Sequence, residues 1–157
     1  MSRRYAADTS VSMDKSIAEI RNTVRRYGAS EFMHAEGDTQ AVIMFSMHDR
    51  RVMFRVAMPD PKAKEFTHTP GKRQRRTETA AHQAWEQACR SRWRSLALVV
   101  KAKLEAVASG ITTFETEFLG NIVMPGTSVT VGEFVRDDLR LAYELGHTVP
   151  LLPPPSQ

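Results

Sequence analysis

Lys72, Arg73, Arg75 and Arg76 fall within five consecutive positions, at the end of the run KAKEFTHTPGKRQRR that covers residues 62–76. Cations at this density either form a solvated charge run or neutralise closely spaced phosphates with release of their counterions, and the second is the chemistry they could do. Arg90, Arg94 and Lys101 follow in a segment with helical periodicity and line up on one flank of it. Arg51 and Arg55 sit on one face of an expected strand, where side chains alternate. These three groups are the candidate nucleic-acid contacts. Contacts of this type hold the backbone and carry little sequence information.

The charge is distributed unevenly along the 157 residues. Residues 62–103 hold eleven Lys/Arg and three Asp/Glu, a net of +8, whereas residues 1–61 come to +1 and residues 104–157 to −5. A polyanion partner is the direct reading of that asymmetry. The acidic half (Glu105, Glu115, Glu117, Glu133, Asp137, Asp138 and Glu144) either neutralises the basic segment of a neighbouring subunit or keeps the protein soluble.

Residue sets for catalysis are missing. His34, His48, His68, His82 and His147 are scattered and form no HExxH or CxxC-type set, so no metal is expected. There is no P-loop and no GxGxxG fingerprint, and no cofactor is expected. Glu115 and Glu117 stand two apart, which on a helix turns them away from each other. Asp137-Asp138 would need distant partners to build a nuclease site. The chain reads as a non-enzyme, with a metal-dependent nuclease as the one enzymatic alternative.

Length and composition fit one soluble domain: 41% hydrophobic and 25% charged residues, with no apolar run longer than the five of Leu96–Val100. No segment approaches the roughly 18 apolar residues of a membrane span. MSRRYAADTS lacks the apolar stretch of a signal peptide. The single cysteine, Cys89, fits a reducing compartment, so a cytoplasmic location is expected.

The elements that must position the cations follow from periodicity. Residues 1–12 read as a flexible arm, 13–149 as one domain and 150–157 as a proline-rich tail, extended, with Leu151-Leu152 available to dock it. From Asp14, Ile17, Ile20, Val24 and Tyr27 mark a helix face that Ser12 or Asp14 can cap and Gly28 ends. Arg21, Arg25 and Arg26 near its end either complement the helix dipole or touch the polyanion.

EFMHAE, QAVIMFSMH and RVMFRVAM then read as three antiparallel strands. A two-residue turn at Asp49-Arg50 pairs Met47 with Val52, Phe45 with Phe54 and Ile43 with Val56, and puts these six on the core side. The opposite face, with Met44, Ser46, His48, Arg51, Met53 and Arg55, is either solvated or meets nucleic acid or a second subunit. Pro59, Pro61 and Pro70-Gly71 break the next stretch into a flexible basic loop. Phe66 within it either stacks on a base or pins the loop to the core.

A helix of roughly thirty residues starts near Thr77 or Thr79. Trp85, Cys89, Trp93, Leu96, Val100, Leu104 and Val107 form its buried stripe, with Cys89 an inert core residue. Such a helix is about 45 Å long, and a strand of eight residues spans only about 27 Å. Part of the stripe must therefore meet the C-terminal segment or another subunit. Gly110 ends this helix. A short helix capped by Thr112 or Thr113, a Pro125-Gly126 turn and a last helix with capping-box spacing at Thr130 and Glu133 complete the domain. The expected fold class is α+β: a three-stranded antiparallel sheet on a long helix, with a short N-terminal helix and a helical C-terminal cap.

The segment FTHTPGK, the run WRSLALVVKAKLEAVASGITTFETEFLGNIVMPG and the TVGEF that follows resemble small uncharacterised proteins of phages and prophages of actinobacteria-like hosts. The likeness spans most of Tyr27–Pro153 and implies a phage setting inside a host cell, without catalytic residues. In the order of its elements the chain is also similar to the core of phage single-strand annealing proteins, a likeness of topology alone. That similarity implies binding or annealing of single-stranded DNA, in recombination, by a homo-oligomer. The competing expectation is a protein-interaction module, a phage-encoded adaptor or inhibitor of a host protein, using the Met/Arg sheet face and the tail.

Overall fold

A computed structural model describes residues 6–151. In chain order the elements are α1 (Met13–Arg26), β1 (Glu31–Glu36), β2 (Gln40–Met47), β3 (Arg50–Ala57), α2 (Lys64–Thr67), α3 (Glu78–Ala108), α4 (Phe114–Phe118), a 3-10 turn (Leu119–Asn121) and α5 (Val131–Leu145). The fold is α+β, with the three strands in the order β1-β2-β3, antiparallel throughout.

Helix ends follow local side-chain chemistry. The hydroxyls of Ser12, Thr77, Thr113 and Thr130 each accept a backbone N–H in the first turn of α1, α3, α4 and α5. At α5 the capping box is complete: Glu133 N–H donates to Thr130, and Thr130 N–H donates back to the Glu133 carboxylate at 2.9 Å. That second bond, joined by one from Arg55, holds the Glu133 carboxyl below its ordinary pKa, against a smaller opposing effect of burial.

α1 and α3 cover one face of the sheet and run parallel: Glu19 pairs with Arg94 near their middles, and the Tyr27 hydroxyl donates to Glu105 near their ends. Between the layers lie Ile20, Val24, Ile43, Phe45, Phe54, Trp93, Val100 and Leu104, all in one buried cluster with Phe114 and Phe118. The C-terminal half of α3 therefore meets α4 as well as the sheet, which resolves the length mismatch within a single chain. Residues 6–12 of the expected arm are tied to α3, where Gln87 Nε2 donates to the carbonyls of Ala7 and Thr9, both at 3.0 Å, and Ala6 is buried. Residues 1–5 of the arm and 152–157 of the tail lie outside the described residues.

The β2–β3 register differs from expectation. Met47 pairs with Arg50, Phe45 with Val52 and Ile43 with Phe54. The turn is His48-Asp49, one residue earlier than Asp49-Arg50, and both residues have positive φ, 50° and 57°. This is the backbone of a type I′ turn, whose twist matches the strands it joins. Aspartate enters that region more readily than arginine, because its short polar side chain can bond locally. Each β2 residue moves to a partner two positions away, so the side-chain faces are unchanged. Ile43, Phe45, Met47, Val52, Phe54 and Val56 are all buried.

The outer edge of β3 is taken by the C-terminal segment. Ile122 forms a bridge with Val52, Val123 N–H donates to Arg51 O at 2.8 Å, and Asn121 Nδ2 donates to Met53 O at 3.1 Å. α5 then packs its first turn against the 3-10 turn, and a Cβ on Gly132 would come within 2.8 Å of the Gly120 carbonyl oxygen. Backbone cannot swing aside as a flexible side chain can. Gly132→Ala is expected to lower stability by about 1–3 kcal/mol despite alanine's better helix propensity, read as a fall in the urea midpoint at unchanged m-value.

Candidate nucleic-acid interface

The segment after β3 is built around Phe66, which is buried and fixes the loop to the body. Of the two roles open to this ring, it takes the structural one. Trp85 of α3 holds the start of the same segment by donating its indole N–H to Pro59 O at 2.7 Å. The loop is not the free coil its proline and glycine content suggests. Arg76 N–H donates to Thr67 O and Thr69 N–H to Gln74 O, both at 2.8 Å, and His68 bridges Arg75. These bonds close residues 67–76 into a small hairpin with Pro70–Arg73 at its tip.

Gly71 has φ 86° and Arg73 φ 48°. The first conformation is easy for glycine, while the second places an arginine in the left-handed region that most residues avoid. The Arg76 guanidinium donates from Nη1 to the carbonyls of Glu65 and Phe66, at 3.3 and 3.1 Å, and so braces the base of the hairpin against α2.

Lys72, Arg73 and Arg75 are exposed, as are Lys62 and Lys64 just before them. None of these five side chains is ion-paired among the described residues. Beside the hairpin lies an open concavity of about 760 Å³, its lining including Lys64, His68, Arg73 and Arg76. Lys62 and Lys64 belong to the same basic run in the sequence, and adjacency alone would have added them to the candidate set.

The other candidates are placed differently. Arg94 is paired with Glu19, and Arg55 donates to Glu133 and to Ser128 O, each at 2.7 Å. Arg90 donates to Gln87 Oε1 from Nε at 3.1 Å and from Nη2 at 2.6 Å. Lys101 and Arg51 are exposed and not ion-paired among the described residues. Arg51 lies at the opposite end of β3 from the hairpin, about 20 Å away along the strand. Lys101 is 24 residues beyond the N-cap of α3, or about 36 Å along the helix. The hairpin thus gathers Lys72, Arg73, Arg75 and Arg76, while the remaining five are dispersed over α3 and the outer sheet face.

The acidic half, Asp138 apart, is engaged within the chain. Glu115 pairs with Arg50 at 2.7 Å, Glu117 with Lys103 at 3.0 Å and Glu133 with Arg55 at 2.7 Å; Asp137 and Glu144 flank Arg140 at 3.7 and 3.4 Å. Cys89 is buried, and burial raises its thiol pKa, so it is no ready nucleophile. Among the described residues no group of three or more His, Cys, Asp or Glu could hold a metal ion, and no helix is long and apolar enough to cross a membrane. Compared with family models, with curated proteins and with solved structures, the chain matches none.

Proposed function

We propose that this protein binds the phosphate backbone of a nucleic acid through the 62–76 segment, without catalysis, and that single-stranded DNA is its favoured ligand. The observation that carries the reading is the set of five exposed cations, Lys62, Lys64, Lys72, Arg73 and Arg75, not ion-paired among the described residues, the last three on a hairpin that is braced from behind and the first two just before it. Glu19, Glu115, Glu117 and Glu133 are taken up by ion pairs with other cations of the chain, which leaves the basic segment's charge uncompensated by them. Arg73 at positive φ is consistent with a tip shaped for a ligand rather than for its own stability. With Phe66 buried, the hairpin offers no aromatic ring for base stacking, so recognition rests on phosphates and is tolerant of sequence. The preference for a single strand, and a place in phage recombination, rest on the resemblances described above.

Fluorescence anisotropy with labelled oligonucleotides over a salt series tests this. Five phosphate contacts give a slope of log K against log salt of about −3.5 on a single strand, at about −0.7 per contact. Absence of binding at low salt would refute the proposal. Tighter binding to duplex than to single strand would refute the strand preference alone.

A further inference from the structure

The concavity beside the hairpin is lined by Lys64 and Glu65 of α2 and by His68, Arg73 and Arg76 after it. Two of these side chains are held in place from behind. Arg76 is half-buried, and its Nη1 donates to the carbonyls of Glu65 and Phe66. Those bonds fix the plane of the guanidinium. Its Nε and Nη2 donate to no other group among the described residues. The Nε–Nη2 edge offers two parallel N–H bonds, the geometry that meets two oxygens of one phosphate.

His68 is also half-buried and tied to the same segment. The Thr67 hydroxyl donates to Ala63 O at 3.3 Å, so its oxygen accepts from His68 Nδ1 at 2.9 Å. The ring proton therefore sits on Nδ1, and Nε2 is left without a partner among the described residues. In the neutral ring Nε2 is a lone pair, which repels a phosphate oxygen; in the imidazolium it is a second donor. The charged groups around this ring are Lys64 and Glu65 from α2 and Arg73 and Arg76 from the hairpin, with Arg75 across the bridge. On α3, Glu78 opens the helix outside this lining, and His82 sits against Glu86 at 3.2 Å. Three cations thus face the single Glu65 carboxylate, and the concavity remains cationic even with His68 neutral.

We infer that this concavity is a phosphate subsite, in which the Arg76 fork and His68 hold one phosphate of the strand and His68 takes up a proton as the strand binds. The subsite presupposes the nucleic-acid binding proposed above, and adds to it two contacts and a dependence on pH. A phosphate beside an imidazole favours the charged ring, so binding draws a proton from solution onto Nε2. At about 760 Å³ the concavity has the size of a small-molecule site, enough for one nucleotide of a strand. The Glu65 carboxylate opposes the phosphate, since it faces the same cations, and a second proton on His68 offsets that opposition. Binding therefore strengthens as pH falls through the range in which imidazoles titrate, about pH 8 to 5.

Anisotropy of the full chain with an oligothymidylate tests the inference, at about pH 8 and about pH 6 and at one ionic strength. The oligonucleotide carries hydroxyl ends and a dye that does not titrate. Neither its diesters nor its bases change charge in that range, so a pH effect belongs to the protein. Wild type is expected to bind about fivefold more tightly at the lower pH near 0.1 M salt, with a salt slope steeper by about 0.7, the value of one further contact. His68→Gln keeps a neutral donor and is expected to bind alike at both pH values. His68→Arg carries a fixed charge and is expected to bind at the higher pH as wild type does at the lower, a gain that misfolding does not produce. Equal wild-type affinity at the two pH values would overturn the subsite and leave phosphate binding by the hairpin standing. A pH effect that persists in His68→Gln would place the proton on another group and overturn it as well. Absence of binding at both pH values would overturn the subsite and the nucleic-acid reading together.

Discussion

Replacement of Lys72, Arg73 and Arg75 together by alanine is expected to weaken single-stranded DNA binding about a hundredfold near 0.1 M salt. Three contacts at about −0.7 each remove about 2 from the salt slope, and a slope difference of 2 over one decade of salt is a factor of about 100. The fold should survive, because these side chains are exposed and not ion-paired among the described residues, and the hairpin is held by backbone bonds, by Arg76 and by Phe66. An unchanged thermal midpoint beside a flattened salt dependence is the expected pair of results. Arg76→Ala differs in kind: it frees the carbonyls of Glu65 and Phe66, so it should loosen the hairpin as well as remove a charge. A triple variant with wild-type affinity and slope would move the interface away from the hairpin.

Trp93→Ala is expected to remove about 3–5 kcal/mol of stability, the range for deleting a large buried aromatic. For a domain with about 5–15 kcal/mol in all, this leaves a marginal or unfolded protein. The ring is 0% exposed, sits edge-on to His34 at a centroid distance of 5.3 Å, and belongs to the cluster that joins α1, the sheet and α3. Trp93→Phe should be much milder, within about 1.5 kcal/mol. Its smaller ring loses contacts, but the substitution also removes an indole N–H that is buried without a hydrogen-bond partner, and such a group costs about 1–3 kcal/mol. Urea unfolding of the two variants separates the volume effect from the polar one. Equal losses would show that the buried N–H is not a burden.

The strands and the helices other than α2, which lies in the stretch read as a flexible loop, were legible because their signals are local. Ser12, Thr77 and Thr130 announce their helices by side-chain bonds three residues away, and the alternation in β2 and β3 identified the core face. The β2–β3 register was not legible, since turns at 48-49 and at 49-50 keep the same residues inside and differ only in which pair accepts positive φ. Closure of the basic loop was hidden for a similar reason: it depends on main-chain bonds such as Arg76 to Thr67, which side-chain composition does not report. A helical wheel and strand alternation place Arg94 and Arg55 correctly on their elements. Their partners Glu19 and Glu133 lie 75 and 78 residues away, so no local pattern shows that these cations are already occupied.

The meander of strands and the helix that covers it are widely separated in the order of synthesis. β3 is complete at Ala57, whereas α3 ends at Ala108. At about 5–20 residues per second, about 2.5–10 s elapse on the ribosome between the two. During that interval the inward face with Ile43, Phe45 and Phe54 can be met only by α1 or by another molecule. α1, parallel to α3 and ahead of the sheet in sequence, is therefore the nascent chain's first shield against aggregation, and substitutions at Ile20 or Val24 should reduce soluble yield more than their equilibrium stability predicts.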